Sequence, residues 1–174
     1  NSTTISKVSN SATVIGNGAY IGGIVGAAHK DSHISESYNA GNVKAYENKS
    51  NIFSIGGIIG TNAWNVEIIN CYNIGTIEGY NAIGGISGSA HAYQMLTITN
   101  CYNIGTIKGS KNVGELVGER NSNSYRTINN SYTKSQPITS TNLGNAYSND
   151  VKNTDGTWKY NNGYPILKWQ VIEE

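Results

Sequence analysis

Cys71 and Cys101 are the two cysteines of the chain, and both open the same heptapeptide, Cys-Tyr-Asn-Ile-Gly-Thr-Ile, 30 residues apart. On adjacent parallel strands they would sit about 5 Å apart, within the range a disulfide allows. The same position holds Ser37 and Ser131 in related segments, which points to a site that wants a small, partly buried side chain. The reading favours two buried free thiols, with a disulfide as the alternative. No histidine lies in either segment, so neither sulfur has the base that a nucleophile needs. His29 and His91 occupy one repeat position but fall two units apart, too far to share a metal whose ligand bonds are near 2 Å. His29 and His33, with Asp31 between them, could chelate a surface ion, but read better as a polar turn. No metal site is expected.

The carboxylates are Asp31, Asp150, Asp155 and eight glutamates, with no Asp-x-Asp calcium loop among them. A glycosidase needs two carboxylates facing each other across about 5–9.5 Å. Glu67 and Glu78 share a unit, but the next one has Thr97 and Lys108 in their places. A polysaccharide lyase would need acidic calcium ligands beside a basic residue, and Arg120 and Arg126 are the only arginines. No catalytic residue is assigned and no cofactor is implied. Aromatics are the better lead. Trp64 and Tyr93 fall in equivalent turns, and Tyr46 and Tyr80 in a neighbouring one. Their rings could stack on sugars while asparagines bond the hydroxyls, or they could pack over corners of the fold.

The elements that position these residues are repeats. A glycine block occurs four times, and it places Gly22, Gly23 and Gly26, then Gly56, Gly57 and Gly60, then Gly84, Gly85 and Gly88, then Gly114 and Gly118. Successive blocks start 34, 28 and 30 residues apart, and Tyr38, Tyr72, Tyr102 and Tyr132 follow at 34, 30 and 30. Two markers thus agree on a unit near 30 residues, with an insertion in 45–52. Each unit reads as three short strands broken by Gly or Asn, with no helical periodicity. The unit has too few apolar residues for its own core, so stacking must join its Ile and Val positions into ladders. The glycines would serve corners that need positive φ or have no room for Cβ. Ala12–Gly16 aligns with Gly75–Gly79 and gives a partial first coil.

The expected fold is therefore all-β: a parallel β-solenoid of about four coils, right-handed by the usual rule for parallel crossovers. It would occupy residues 1–133, with an irregular C-terminal cap of the same domain over 134–174. That tail holds Pro137, Pro165, Trp158 and Trp169 and is expected to bury Trp158, Ile166, Leu167 and Trp169 against the last coil. Net charge is +1 and charged residues are 13%, which gives no call for nucleic acid. No apolar run reaches the roughly 18 residues that span a bilayer. The start, Asn-Ser-Thr-Thr-Ile-Ser-Lys, reads as a segment of a longer chain. The sequons at Asn48 and Asn129 are at chance level for so Asn-rich a sequence.

The Gly-Gly-Ile-Val-Gly and Asn-Cys-Tyr-Asn-x-Gly-Thr-Ile blocks resemble the GLUG repeat of large secreted or wall-anchored bacterial proteins, over about residues 9–170. Asn162–Gln170 is similar to segments that close such arrays. Zinc metalloproteases that cleave immunoglobulin A1 carry the repeat, but their His-Glu-x-x-His motif is absent here. The resemblance implies an extracellular or cell-surface protein of a Gram-positive bacterium and is nearly silent on activity. With no catalytic constellation in the residues, the expected role is a non-catalytic module, monomeric as a domain, serving as stalk, spacer or adhesin. The alternative is a glycan- or mucin-binding module. Partners would be host or cell-wall glycans or proteins.

Overall fold

Five short parallel sheets wrap around one axis, and the chain visits all five in each coil. The computed structural model describes residues 2–46, 54–120, 125–134, 157–161 and 164–171. Most of the 45–52 insertion, the sequon at Asn48, Pro137, Asp150, Asp155 and most of the 134–156 segment lie outside the described residues. The first coil carries β1 (Thr4–Ser6), β2 (Ser9–Asn10), β3 (Val14–Gly16), β4 (Tyr20–Gly22) and β5 (Val25–His29). The second carries β6 (Ser32–Ser35), β7 (Tyr38–Asn39), β8 (Val43–Ala45), β9 (Ser54–Gly56) and β10 (Ile59–Ala63). The third carries β11 (Val66–Ile69), β12 (Tyr72–Asn73), β13 (Ile77–Glu78), β14 (Asn81–Gly84) and β15 (Ser87–Ala90). The fourth carries β16 (Met95–Thr99), β17 (Tyr102–Asn103), β18 (Ile107–Lys108), β19 (Lys111–Gly114) and β20 (Val117–Arg120). β21 (Tyr125–Asn129) and β22 (Tyr132–Thr133) begin one more. The first strands of all coils form the first sheet, the second strands the second, and so on to the fifth. The fold is an all-β parallel solenoid of about four turns, as the repeat predicts.

The coil has five strands rather than the three expected. The sequence reads Val66–Tyr72 and Leu96–Tyr102 each as one strand, but Asn70 and Asn100 take φ of 53° and 51° and break both in two. The Gly-Gly pair breaks the third. At this corner the left-handed turn falls on Asn70, Asn100 and Asn130, with Lys7 and Glu36 in the same column, and no glycine among the described residues takes a left-handed φ. Of the two reasons given for the glycines, it is the lack of space that holds. A Cβ on Gly57 would run into the Gly85 carbonyl of the next coil and the side chain of Asn73.

The interior is built from ladders. Ile34, Ile68 and Ile98 stack in one, and Ile55 and Ile83 in another, all buried. Asn10, Asn39, Asn73 and Asn103 form a polar one. Each Nδ2 of the first three bonds the next Oδ1 at 2.7–2.8 Å. Asn39, Asn73 and Asn103 also donate to the carbonyls of Gly41, Gly75 and Gly105. Their burial is affordable because these donors and acceptors are paired.

The tail differs from expectation in place. β23 (Trp158–Asn161) and β24 (Tyr164–Leu167) pair as an antiparallel hairpin. Trp158, Ile166 and Leu167 are buried, but against Tyr72 and Tyr102 on the flank of the stack. Stacking sets Tyr38, Tyr72 and Tyr102 face to face with ring centroids 4.9 Å apart, which makes a continuous aromatic wall. Gln170 fastens the hairpin, its Oε1 accepting from the Tyr72 hydroxyl at 2.8 Å and the Leu167 amide at 2.7 Å. The Tyr102 hydroxyl donates to the Pro165 carbonyl, and half-buried Trp169 donates from Nε1 to the Glu36 carbonyl at 2.8 Å.

Candidate functional site

The four aromatics proposed for stacking occupy two different corners of the coil. Trp64 lies between β10 and β11 and Tyr93 between β15 and β16, so both stand where the fifth sheet turns into the first. Tyr46 follows β8 and Tyr80 lies between β13 and β14, at the corner of the third and fourth sheets. The fourth and fifth sheets separate the two pairs, so they cannot serve one site. Trp64 is 53% exposed, Tyr93 and Tyr46 are each 69% exposed, and Tyr80 is half-buried.

The Trp64–Tyr93 corner is the built one. Both residues take left-handed backbone conformations, with φ of 86° and 60°, which a bulky side chain seldom adopts. A buried asparagine, Asn62, holds both turns. Its Nδ2 donates to the carbonyls of Trp64 at 3.0 Å and Met95 at 3.2 Å, and its Oδ1 accepts from the His91 amide at 3.1 Å. Sequence reading missed Asn62, since it has no counterpart in the other copies. It also missed the interior asparagines, although Tyr-Asn-x-Gly in three copies carried their signal.

Beside this corner, on the outer face of the first sheet, runs a groove of about 190 Å³ lined by Asp31, His33, Asn65, Glu67, Met95 and Thr97 among others. His33 and Glu67 are register partners, and Nδ1 of the histidine meets Oε2 of the carboxylate at 3.0 Å. Asp31 accepts from Asn65 Nδ2 at 3.1 Å. His33 and Asp31, weighed with His29 as a chelating set and read as a polar turn, are engaged by the next coil. Glu67 stands on the first sheet and Glu78 on the third, where Glu78 approaches Lys108 at 4.0 Å, so the two glutamates do not face each other. Among the described residues no three His, Cys, Asp or Glu groups converge to hold a metal ion.

Cys71 and Cys101 do stack in adjacent coils as buried free thiols. The Cys71 amide donates to Cys101 Sγ at 3.4 Å and the Cys101 amide to Ser131 Oγ at 3.1 Å. Each side chain also returns a bond to the carbonyl two residues before it, Ile69 or Thr99, as Ser37 and Ser131 do. Sulfur and hydroxyl are interchangeable in this column, so its role is structural. Burial pushes the Cys71 thiol well up, with Cys101 adding to the shift, the opposite of an activated thiolate. No helix among the described residues is long and apolar enough to cross a membrane. Comparison with family models, curated proteins and solved structures gave no match.

Proposed function

We propose that the chain is a non-catalytic, monomeric repeat module of a larger secreted or surface-anchored bacterial protein, related to the GLUG repeats it resembles, and that it acts as a stalk or adhesive surface. One observation carries the reading: five parallel sheets keep register through successive coils, and the interior columns are occupied by ladders. Such a stack is stiff along its axis and uses its turns and outer faces for display. In the groove Asp31 is engaged by Asn65 and Glu67 by His33, which supports the non-catalytic reading.

The test is incubation of the purified chain with protein and polysaccharide substrates, with zinc, calcium or neither, alongside antibody labelling of intact source bacteria. No turnover and surface labelling are expected. Metal-dependent turnover that Glu67→Gln abolishes would overturn the non-catalytic reading, and an unlabelled surface would overturn the display reading. A second reading, glycan binding, is favoured by the exposed Trp64 turn.

A further inference from the structure

The first sheet offers a ruled surface. His33, Glu67 and Thr97 are register partners on β6, β11 and β16, so their side chains repeat at the strand spacing of about 4.8 Å. That step is comparable to the length of one pyranose unit. The groove they line holds about 190 Å³, less than the roughly 300–1,000 Å³ of enclosed small-molecule pockets. It suits an open ligand that lies along the surface and leaves one face in water.

The groove is polar and apolar by turns. Asp31, Asn65, Glu67 and Thr97 supply acceptors and donors; across coils Asn65 holds Asp31 and His33 holds Glu67. Met95 supplies an exposed apolar flank, and Trp64 stands in the turn next to Asn65. The Trp64 backbone is held left-handed by a buried amide, so the ring is presented from a rigid turn. Sugars show the same alternation of C–H faces and hydroxyl edges. The groove's charges select further. It contains two carboxylates and neither lysine nor arginine, so it disfavours sialic and uronic acids.

We propose that this groove binds a neutral oligosaccharide lying parallel to the stack axis, with Trp64 stacking on a pyranose face and Asp31, Asn65, Glu67 and Thr97 bonding its hydroxyls. The proposal deepens the glycan reading above and rests on the display reading only in taking its ligand from outside the cell. The experiment applies the purified chain to immobilised malto-, cello-, xylo- and chito-oligosaccharides and lactosamine, with sialyllactose and oligogalacturonate as acidic controls. Retention on at least one neutral series and none on the acidic ones is expected, together with a change in tryptophan fluorescence that Trp64→Phe removes. Trp64→Ala should weaken binding about tenfold, equivalent to about 1.4 kcal/mol. Trp64→Phe should keep it within about threefold, and Thr97→Val should weaken it about threefold. Urea midpoints would show that each variant is folded. No retention on any neutral sugar, a preference for acidic ones, or unchanged affinity in both Trp64→Ala and Thr97→Val would overturn the proposal. None of these results touches the surface labelling or the turnover assay, so the broader reading fails or stands separately.

Discussion

Asn73 is buried inside an all-β stack and spends its whole side chain on neighbours. It accepts from Asn39 Nδ2 at 2.7 Å and donates to the Gly75 carbonyl at 2.9 Å and to Asn103 Oδ1 at 2.7 Å. Asn73→Ala should cost about 2–4 kcal/mol in urea unfolding, since it removes partners from buried polar groups. Asn73→Asp keeps the shape but sets a second acceptor against Gly75 and Asn103, and should cost at least as much. If both variants unfold at the wild-type midpoint, the ladder is not a stabilising element. Cys71 makes a different statement. Its folded thiol holds the proton more tightly than the unfolded one, whose pKa is about 8.5. The associated stability is full below about pH 8.5 and is lost as pH rises above it, because only the unfolded chain then releases the proton. Burial likewise raises the Tyr72 hydroxyl, so a second loss begins near pH 10. Urea midpoints should therefore fall between pH 8 and 10.5. Cys71→Ser, which copies Ser37 and Ser131, should flatten the first part of that fall at little cost at pH 7. A level profile in the wild type would contradict this.

At the scale of the element, the hairpin of β23 and β24 and the tyrosine wall stabilise each other. Trp158 packs on Tyr72 and Tyr102 with ring centroids 6.0 and 5.7 Å away. Trp158→Ala should cost about 3–5 kcal/mol. A chain ending at residue 156 should expose the wall and aggregate or melt well below the full chain. A truncated protein that is monomeric and equally stable would show the hairpin to be an ornament. The repeat period was legible because Gly and Tyr recur for reasons of space and stacking that each coil must meet anew. The strand count was not, because two-residue strands such as Tyr72–Asn73 are too short to show alternation, and their ends are set by asparagines in left-handed turns. The docking place of the tail was not legible either. Trp169 reaches back to Glu36, and local sequence holds no signal for so distant a partner. The Trp64 and Tyr93 turns could be picked out as one corner from their repeat positions. So could the separate turn of Tyr46 and Tyr80, but that two whole sheets stand between the pairs follows only once the coil is known to have five sides.

At the scale of the molecule, stability should grade along the axis. In a solenoid each coil meets only its neighbours, so a central coil is held on both sides and a terminal one on a single side. The burial follows this. In the column Ile5, Ile34, Ile68, Ile98 and Ile128 the three central side chains are enclosed, whereas Ile5 is half-buried and Ile128 exposed. The hairpin modifies the grading by tying Glu36 at one level of the flank to Tyr102 at another. Amide exchange should accordingly be slowest over 55–59, 66–73, 83–90 and 96–103, and faster over 4–16 and 125–133. In the chain ending at residue 156, the middle coils should lose their lateral tie, and exchange over 66–73 and 96–103 should quicken most. Mass-resolved exchange on both proteins measures this directly. Equal protection in all coils would mean that the stack unfolds only as a whole. Greatest protection in residues 4–16 would mean that the first coil, and not the centre, anchors the fold.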